Sequence, residues 1–249
     1  MTSDVHPWAA GGFARGAEAY ERARPGYAPA AVAFLVQALE LRPGATVVDL
    51  AAGTGKLARL FVPTGARVVA VEPLAEMRVL IPAGIEALDG VAEAIPLTDS
   101  SADAVTVAQA FHWFRADEAL AEIHRVLRPG GGVAILRNER DLADPAQLAF
   151  AEILARCRAH PSLERELDVP AALVRSGFFD EPEQRAFPHV AELDPVALGA
   201  SETSIALLDD GARAAALAEF AALGERVRLR YVTEVVVTRR AGTPPARPR

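Results

Sequence analysis

Asp49, Gly53, Gly55 and Glu72 are the residues whose types and spacing point most directly to chemistry. Asp49 follows the β-branched pair Val47-Val48, and the small-residue stretch Leu50-Ala51-Ala52-Gly53-Thr54-Gly55 leads into Lys56-Leu57-Ala58-Arg59-Leu60, which has a helical pattern. The segment therefore reads as strand, tight turn and helix. Gly53 and Gly55 permit backbone angles and a close ligand approach that a Cβ would block, and amides at a helix start can bind polar ligand atoms. A second apolar run, Arg67 to Val71, ends in Glu72-Pro73. It lies about twenty residues downstream, the distance at which an acidic side chain accepts from a ribose hydroxyl pair. Together these residues suggest a nucleotide cradle; the alternative for Glu72 is a plain turn before Pro73.

Gly53, Gly55 and Ala58 also fit the loose dinucleotide pattern G-x-G-x-x-G/A. A carboxylate just before the glycines would repel a pyrophosphate, whereas it would attract the cationic amino acid portion of S-adenosylmethionine. Asp49 is therefore expected to face the ligand, and S-adenosylmethionine is expected rather than NAD(P).

The elements that position these groups follow from periodicity. Ala30 to Leu41 has helical spacing and stops at Arg42-Pro43-Gly44. Leu74 to Leu80 reads as a helix, Gly84 to Leu88 as a third strand, Asp103 to Ala108 as a fourth, Ala116 to Leu127 as a helix, and Val133 to Leu136 as a fifth strand after the turn Arg128 to Gly132. Alternating strands and helices imply an α/β, doubly wound parallel sheet with its ligand crevice at the carboxyl ends of the strands. The loop Asp89 to Leu97, with Ala92 and Glu93, is expected at the adenine. The loop Gln109-Ala110-Phe111-His112-Trp113-Phe114 is expected at the reacting end.

A buried imidazole or indole needs a partner. His112 is accordingly the candidate general base, against a satisfied structural histidine, and Trp113 a candidate substrate contact. His124, inside a helix, reads as structural. Beyond Asn138 come helical segments at Pro145 to Ala159 and Ala171 to Ser176, a strand near Arg185 to Val190, two helical stretches between Pro195 and Leu223, and a closing strand Arg228 to Arg239 at the sheet's end. The helices before that last strand would form a lid. Upstream, the arm from Phe13 to Tyr27 carries Tyr20, Arg22, Arg24 and Tyr27. It reads either as a solvated arm or as a segment folding over the cofactor, with arginine holding a carboxylate.

At 249 residues and about half apolar, the chain suits one α/β domain. That domain comprises an arm at 1–29, a cofactor-binding core at 30–138, sheet completion and lid at 139–240, and a disordered tail at 241–249. No apolar run reaches bilayer length, and nothing resembling a secretion signal stands near Asp4, His6 and Pro7, so neither membrane nor export is expected and the location reads as cytoplasmic. The net charge of −7 argues against a nucleic-acid partner and for a small-molecule acceptor. Oligomeric state reads as monomer or homodimer. The lone Cys157, near His160, reads as neither catalytic nor part of a metal site, and no metal is expected.

These motifs, in this order from Phe13 to Arg239, make the chain resemble the class I S-adenosylmethionine-dependent methyltransferases, in the type 11 group that includes trans-aconitate methyltransferases. The resemblance rests on Tyr20 to Tyr27, Asp49 to Gly55, Val71-Glu72-Pro73, Ala92 to Leu97, Gln109 to Phe114 and Leu127 to Gly131. It implies a Rossmann-like sheet of seven strands with the last antiparallel, the cofactor's amino acid portion near Asp49, Ala51 and Gly53, and its ribose on Glu72. Thr54, Gly55, Pro73, Gln109, Tyr20 and Arg24 join the expected cofactor contacts. Two departures stand out. Val91 replaces the Asp or Ser that relatives place at the adenine amine, leaving the backbone of Ala92 and Glu93 to read it. Arg137 replaces an aromatic residue, which would favour an anionic substrate together with Arg22 or Arg24. The expected activity is methyl transfer to an oxygen, nitrogen or carboxylate of a small molecule. An NAD(P)-dependent oxidoreductase or a non-catalytic cofactor-binding subunit are the alternatives.

Overall fold

Val47, Val48, Val69, Val71, Val105 and Val107 have no accessible surface, because the strands that carry them are covered by helices on both faces. The computed structural model describes residues 17–157, 168–202, 205 and 208–242. His160, the segments around Asp4 and Phe13, and the tail from 243 onward lie outside them. The strands are β1 (Thr46–Leu50), β2 (Arg67–Val71), β3 (Glu86–Leu88), β4 (Ala102–Ala108), β5 (Leu127–Arg140), β6 (Glu183–Leu193) and β7 (Val227–Arg239). They form one seven-stranded sheet in the order β3-β2-β1-β4-β5-β7-β6. Pairing is parallel from β3 through β5, and β7 runs antiparallel to both its neighbours.

Two strand expectations change. The chain's last strand does not lie at the sheet's end: β7 inserts between β5 and β6, and β6 takes the edge. β7 buries Leu229, Tyr231, Val235 and Val237, whereas β6 is exposed along much of its length and contains Pro188. A proline is tolerated at an edge, where its missing N–H breaks no ladder bond. The expected turn Arg128 to Gly132 is absorbed into β5, with Leu127 opposite Ala102 and Gly132 opposite Ala104. The extra residues bulge out at Gly130, whose φ of +77° suits glycine.

The helices are α1 (Ala17–Ala23), α2 (Pro29–Ala38), α3 (Ala58–Phe61), α4 (Ala75–Arg78), α5 (Ala116–Val126), α6 (Pro145–Cys157), α7 (Val169–Ser176), α8 (Pro195–Ala200) and α9 (Asp210–Ala221). On one sheet face Leu120, Ile123 and Val126 of α5 and Leu173 of α7 pack against Val48, Val69 and Val105. On the other, Leu35 of α2 and Phe61 of α3 pack against Val47, Ala70 and Leu136. A third cluster lies beneath the helices inserted before β7: Phe150 and Leu154 of α6, Leu198 of α8 and Phe220 of α9, with Leu229 and Tyr231. α1 packs onto α8. Among the described residues no helix is long and apolar enough to cross a membrane.

Phe220 stacks obliquely on Phe150 with ring centroids 4.7 Å apart, and its other side lies against the Cα of Gly199 on α8, leaving no room for a Cβ. Gly199→Ala is expected to lower stability by about 1–3 kcal/mol through overpacking, read as a lower denaturant midpoint. An unchanged midpoint would show that α8 and α9 do not meet as described.

Candidate cofactor site

The cleft opens at the carboxyl ends of β1, β2 and β4. The chain leaves β1 at Ala51 with φ +53° and leaves β4 at Gln109 with φ +58°, both non-glycine residues in the left-handed region, and both line the cleft. Such angles persist only where the surroundings impose them, and they cluster at ligand sites. Gly53, at φ +57°, faces open space where a Cβ would stand. Gly90 has the opposite reason to be glycine: a Cβ there would lie 2.6 Å from Pro96 Cδ, so its absence lets the loop carrying Val91, Ala92 and Glu93 fold down onto the cleft.

Glu72, 5% exposed, ties these pieces together. Its Oε2 accepts from the Gly53 amide at 2.8 Å and its Oε1 from the Leu74 amide at 2.9 Å. Burial raises its pKa, and the two amides partly oppose that rise. Pro73, Leu74 and Met77 extend the wall beyond Glu72, while Tyr20 of α1 and Trp113 and Phe114 of the 3-10 turn after β4 form other parts of it. The cleft is open to solvent, and its empty space, counted with the solvent at its mouth, is about 820 Å³. Among the described residues its only charged side chains are two carboxylates, Glu72 and Glu93, the latter also accepting from the Arg115 amide at 2.7 Å.

The structure thus brings Tyr20, Ala51, Gly53, Glu72, Pro73, Ala92, Glu93, Gln109 and Trp113 to one cleft. It places several other expected residues elsewhere. Asp49 does not face the cleft: it is 1% exposed, its Oδ1 accepting from Thr106 Oγ1 at 2.8 Å and its Oδ2 from the Ala58 amide at 3.1 Å. The carboxylate is taken up by β4 and by an amide at the start of α3, which lie closer to it than the cleft does. Thr54 is buried, and its hydroxyl donates to Glu21. Gly55 is packed, with Pro82 Cδ 3.2 Å from where its Cβ would be. Tyr27 is half-buried against the helix cluster around Leu35, where burial pushes its hydroxyl well above the usual range.

The arginines expected to hold an anion meet acids of the chain itself. Arg24 contacts Glu202 at 3.0 Å and donates to Ser201 O at 3.1 Å, with its guanidinium 5.5 Å from the Tyr20 ring centroid. Arg137 sits 3.0 Å from both Glu139 and Glu234 on the sheet surface. Arg22 is exposed at the end of α1. His112 packs against Trp113, with centroids 4.8 Å apart, and lines a neighbouring pocket with Phe114, Arg115, Asp117 and Arg175. His124 stacks on Phe178 and contacts Arg240.

Sequence reasoning missed Glu21, which joins α1 to the glycine loop. Its signal was indirect: Lys56 and Arg59 flank a tightly folded loop and call for a nearby acid.

Residues 48–135, which span β1 to β5 and this cleft, match the family model described as a methyltransferase domain. This part of the chain is therefore similar to a methyltransferase domain. A methyltransferase of Mycobacterium tuberculosis, named as uncharacterized, is 48% identical over 132 residues, 52% of this chain and 53% of the relative. An uncharacterized methyltransferase of Schizosaccharomyces pombe is 38% identical over 146 residues, 57% of this chain and 58% of its own. The chain thus spans about half the length of the curated relatives it matches. A solved structure of a phosphoethanolamine N-methyltransferase from Haemonchus contortus shares the fold at TM-score 0.55 and 16% identity, covering 94% of this chain and 59% of that one. The matched segment contains the glycine loop, Glu72, the loop from Asp89 to Leu97 and the aromatic loop after β4, whereas Tyr20 comes from outside it.

Burial raises Asp49 to about 7 despite its two hydrogen bonds, with nearby Glu72 adding to the rise. A carboxyl whose folded pKa lies above its unfolded value contributes stability at low pH, and that contribution is lost as pH rises through the folded value. Relative to Asp49→Asn, the wild-type protein without added ligand is therefore expected to lose melting temperature as pH is raised from about 4 to about 8. A difference independent of pH would show that Asp49 is not buried as a carboxyl.

Proposed function

We propose that the chain binds S-adenosylmethionine in this cleft and transfers its methyl group to a small-molecule acceptor. The observation that carries the reading is the cleft's charge: carboxylates at Glu72 and Glu93, with no basic side chain among its described lining residues. Such a lining repels a pyrophosphate and favours a cation. The electrostatic preference first attributed to Asp49 rests instead on Glu72 and Glu93. Bound there, S-adenosylmethionine would supply an electrophilic methyl group on a positively charged sulfur.

The residues present fit that group. Glu72 offers a carboxylate for the ribose hydroxyls, Ala92 and Glu93 offer backbone and side chain on the adenine side, and the open space over Gly53 admits the amino acid portion. Tyr20, Gln109 and Trp113 form the remaining wall, whose task is to align the acceptor and exclude water. The named Haemonchus relative, solved with S-adenosylhomocysteine, supports this cofactor for the fold. Because Arg24 and Arg137 meet acids of the chain, the cleft favours a neutral or cationic hydroxyl or amine over a carboxylate acceptor. Phe114 belongs to both the cleft and the pocket beside it, so a general-base role for His112 requires an acceptor that spans the two.

Calorimetry is expected to show micromolar binding of S-adenosylhomocysteine and none of NADH, with Glu72→Ala weakening the former at least about tenfold through loss of charge-assisted hydrogen bonds. Tighter binding of NADH would overturn the reading. His112→Ala is expected to slow turnover while leaving S-adenosylhomocysteine affinity intact. Unchanged turnover would remove His112 from the chemistry.

A further inference from the structure

α1 is a helix of 7 residues, too short to persist by its own propensity. Its place across the cleft therefore depends on what holds it at each side. Ala17 and Ala23 are buried beneath it but contribute little area. Its polar contacts lie on opposite flanks. Toward the lid, Arg24 meets Glu202 at 3.0 Å, and the same Glu202 oxygen meets Arg140 at 2.7 Å. Toward the glycine loop, the Glu21 carboxylate accepts from Thr54 Oγ1 and lies 2.8 Å from Arg59 and 3.7 Å from Lys56, whose Nζ also donates to the Glu21 carbonyl at 2.5 Å. Arg59 in turn donates to Thr54 O and Gly55 O, each at 3.2 Å, so this cluster grips the loop backbone itself.

Tyr20 and Glu21 are neighbours on α1. The helical step turns Tyr20 into the cleft while Glu21 reaches the flank of the loop.

We propose that Glu21 latches α1 as a strap over the cofactor cleft, a positioning residue that sets how long a bound cofactor stays. The inference rests on the cofactor reading above. A molecule seated between Glu72 and Tyr20 touches the closed strap, so it binds the closed form better than the open one, and its apparent affinity scales with the closed fraction. Leaving requires the strap to open. Removing the latch therefore speeds departure without obstructing entry, whereas damage to the glycine loop would impair entry or abolish binding.

The probe is S-adenosylhomocysteine, with association and dissociation rates measured by stopped flow and affinity by calorimetry on wild type, Glu21→Ala and Glu21→Gln. The glutamine variant keeps the shape and an acceptor for Thr54 while removing the charge that faces Arg59 and Lys56. Dissociation is expected to rise about tenfold or more in Glu21→Ala and by a smaller factor in Glu21→Gln, with association not reduced in either. Cleavage of the arm by a low dose of protease is expected to accelerate in the same order. Dissociation at the wild-type rate in Glu21→Gln, or an affinity loss in both variants that resides in slower association, overturns the latch while leaving the cofactor reading standing. Wild-type protein that binds no S-adenosylhomocysteine overturns both.

Discussion

The buried carboxylate of Glu72 links the two strand ends on which the cleft is built. One oxygen accepts from the loop after β1 at Gly53, the other from the chain leaving β2 at Leu74, and the Glu72 amide donates to Leu88 O of β3 at 3.0 Å. A neutral side chain could not accept from both amides with charge-assisted strength. A shorter aspartate would not reach across. The loop, the turn into α4 and the end of β3 are thereby held in one arrangement, and the chain enters that loop at Ala51 with a left-handed φ of +53°. Gly53 and Gly90 then act in opposite senses, one leaving space for a ligand and the other letting a loop approach.

Charge organises the site around that linkage. Asp49 and Glu72 both lose hydration in the fold, and each has its pKa raised mainly by burial. Asp49 holds the core beneath the loop by binding Thr106 and the Ala58 amide, so the glycine loop rests on a carboxylate that never reaches the cleft. Positive charge brought into the cleft meets Glu72 and Glu93 directly and Asp49 through the low-dielectric interior. The basic residues nearest the loop, Lys56 and Arg59, are turned outward onto Glu21. That pairing keeps both cations out of the cleft lining.

Much of this was legible in the sequence where local pattern decides structure. Runs such as Val47-Val48 and Val68-Val69 leave little choice but a buried strand, and the spacing of Leu120, Ile123 and Val126 gives α5 its inward stripe. The acidic end of β2 and the aromatic loop after β4 were legible as walls of one cleft, because each follows directly from a strand's carboxyl end. What escaped was set by register and by long-range partners. Arg137 reads as a substrate clamp until β5 pairs with β7 and puts Glu234 directly opposite it. Asp49 reads as a ligand contact until α3 begins above it and claims its oxygen. Glu21 lies 33 residues from Thr54, and no local periodicity links the two. The place of β7 inside the sheet depends on which of two amphipathic strands better tolerates an open edge, a competition visible only once both are paired.

A crystal structure of the protein with S-adenosylmethionine or its demethylated product bound tests the central claim most directly. The account requires the ribose hydroxyls within hydrogen-bond distance of Glu72, with the amino acid portion over Gly53 beneath Tyr20. A ligand seated outside this cleft, or a pyrophosphate bound against Gly53 in its place, would contradict it.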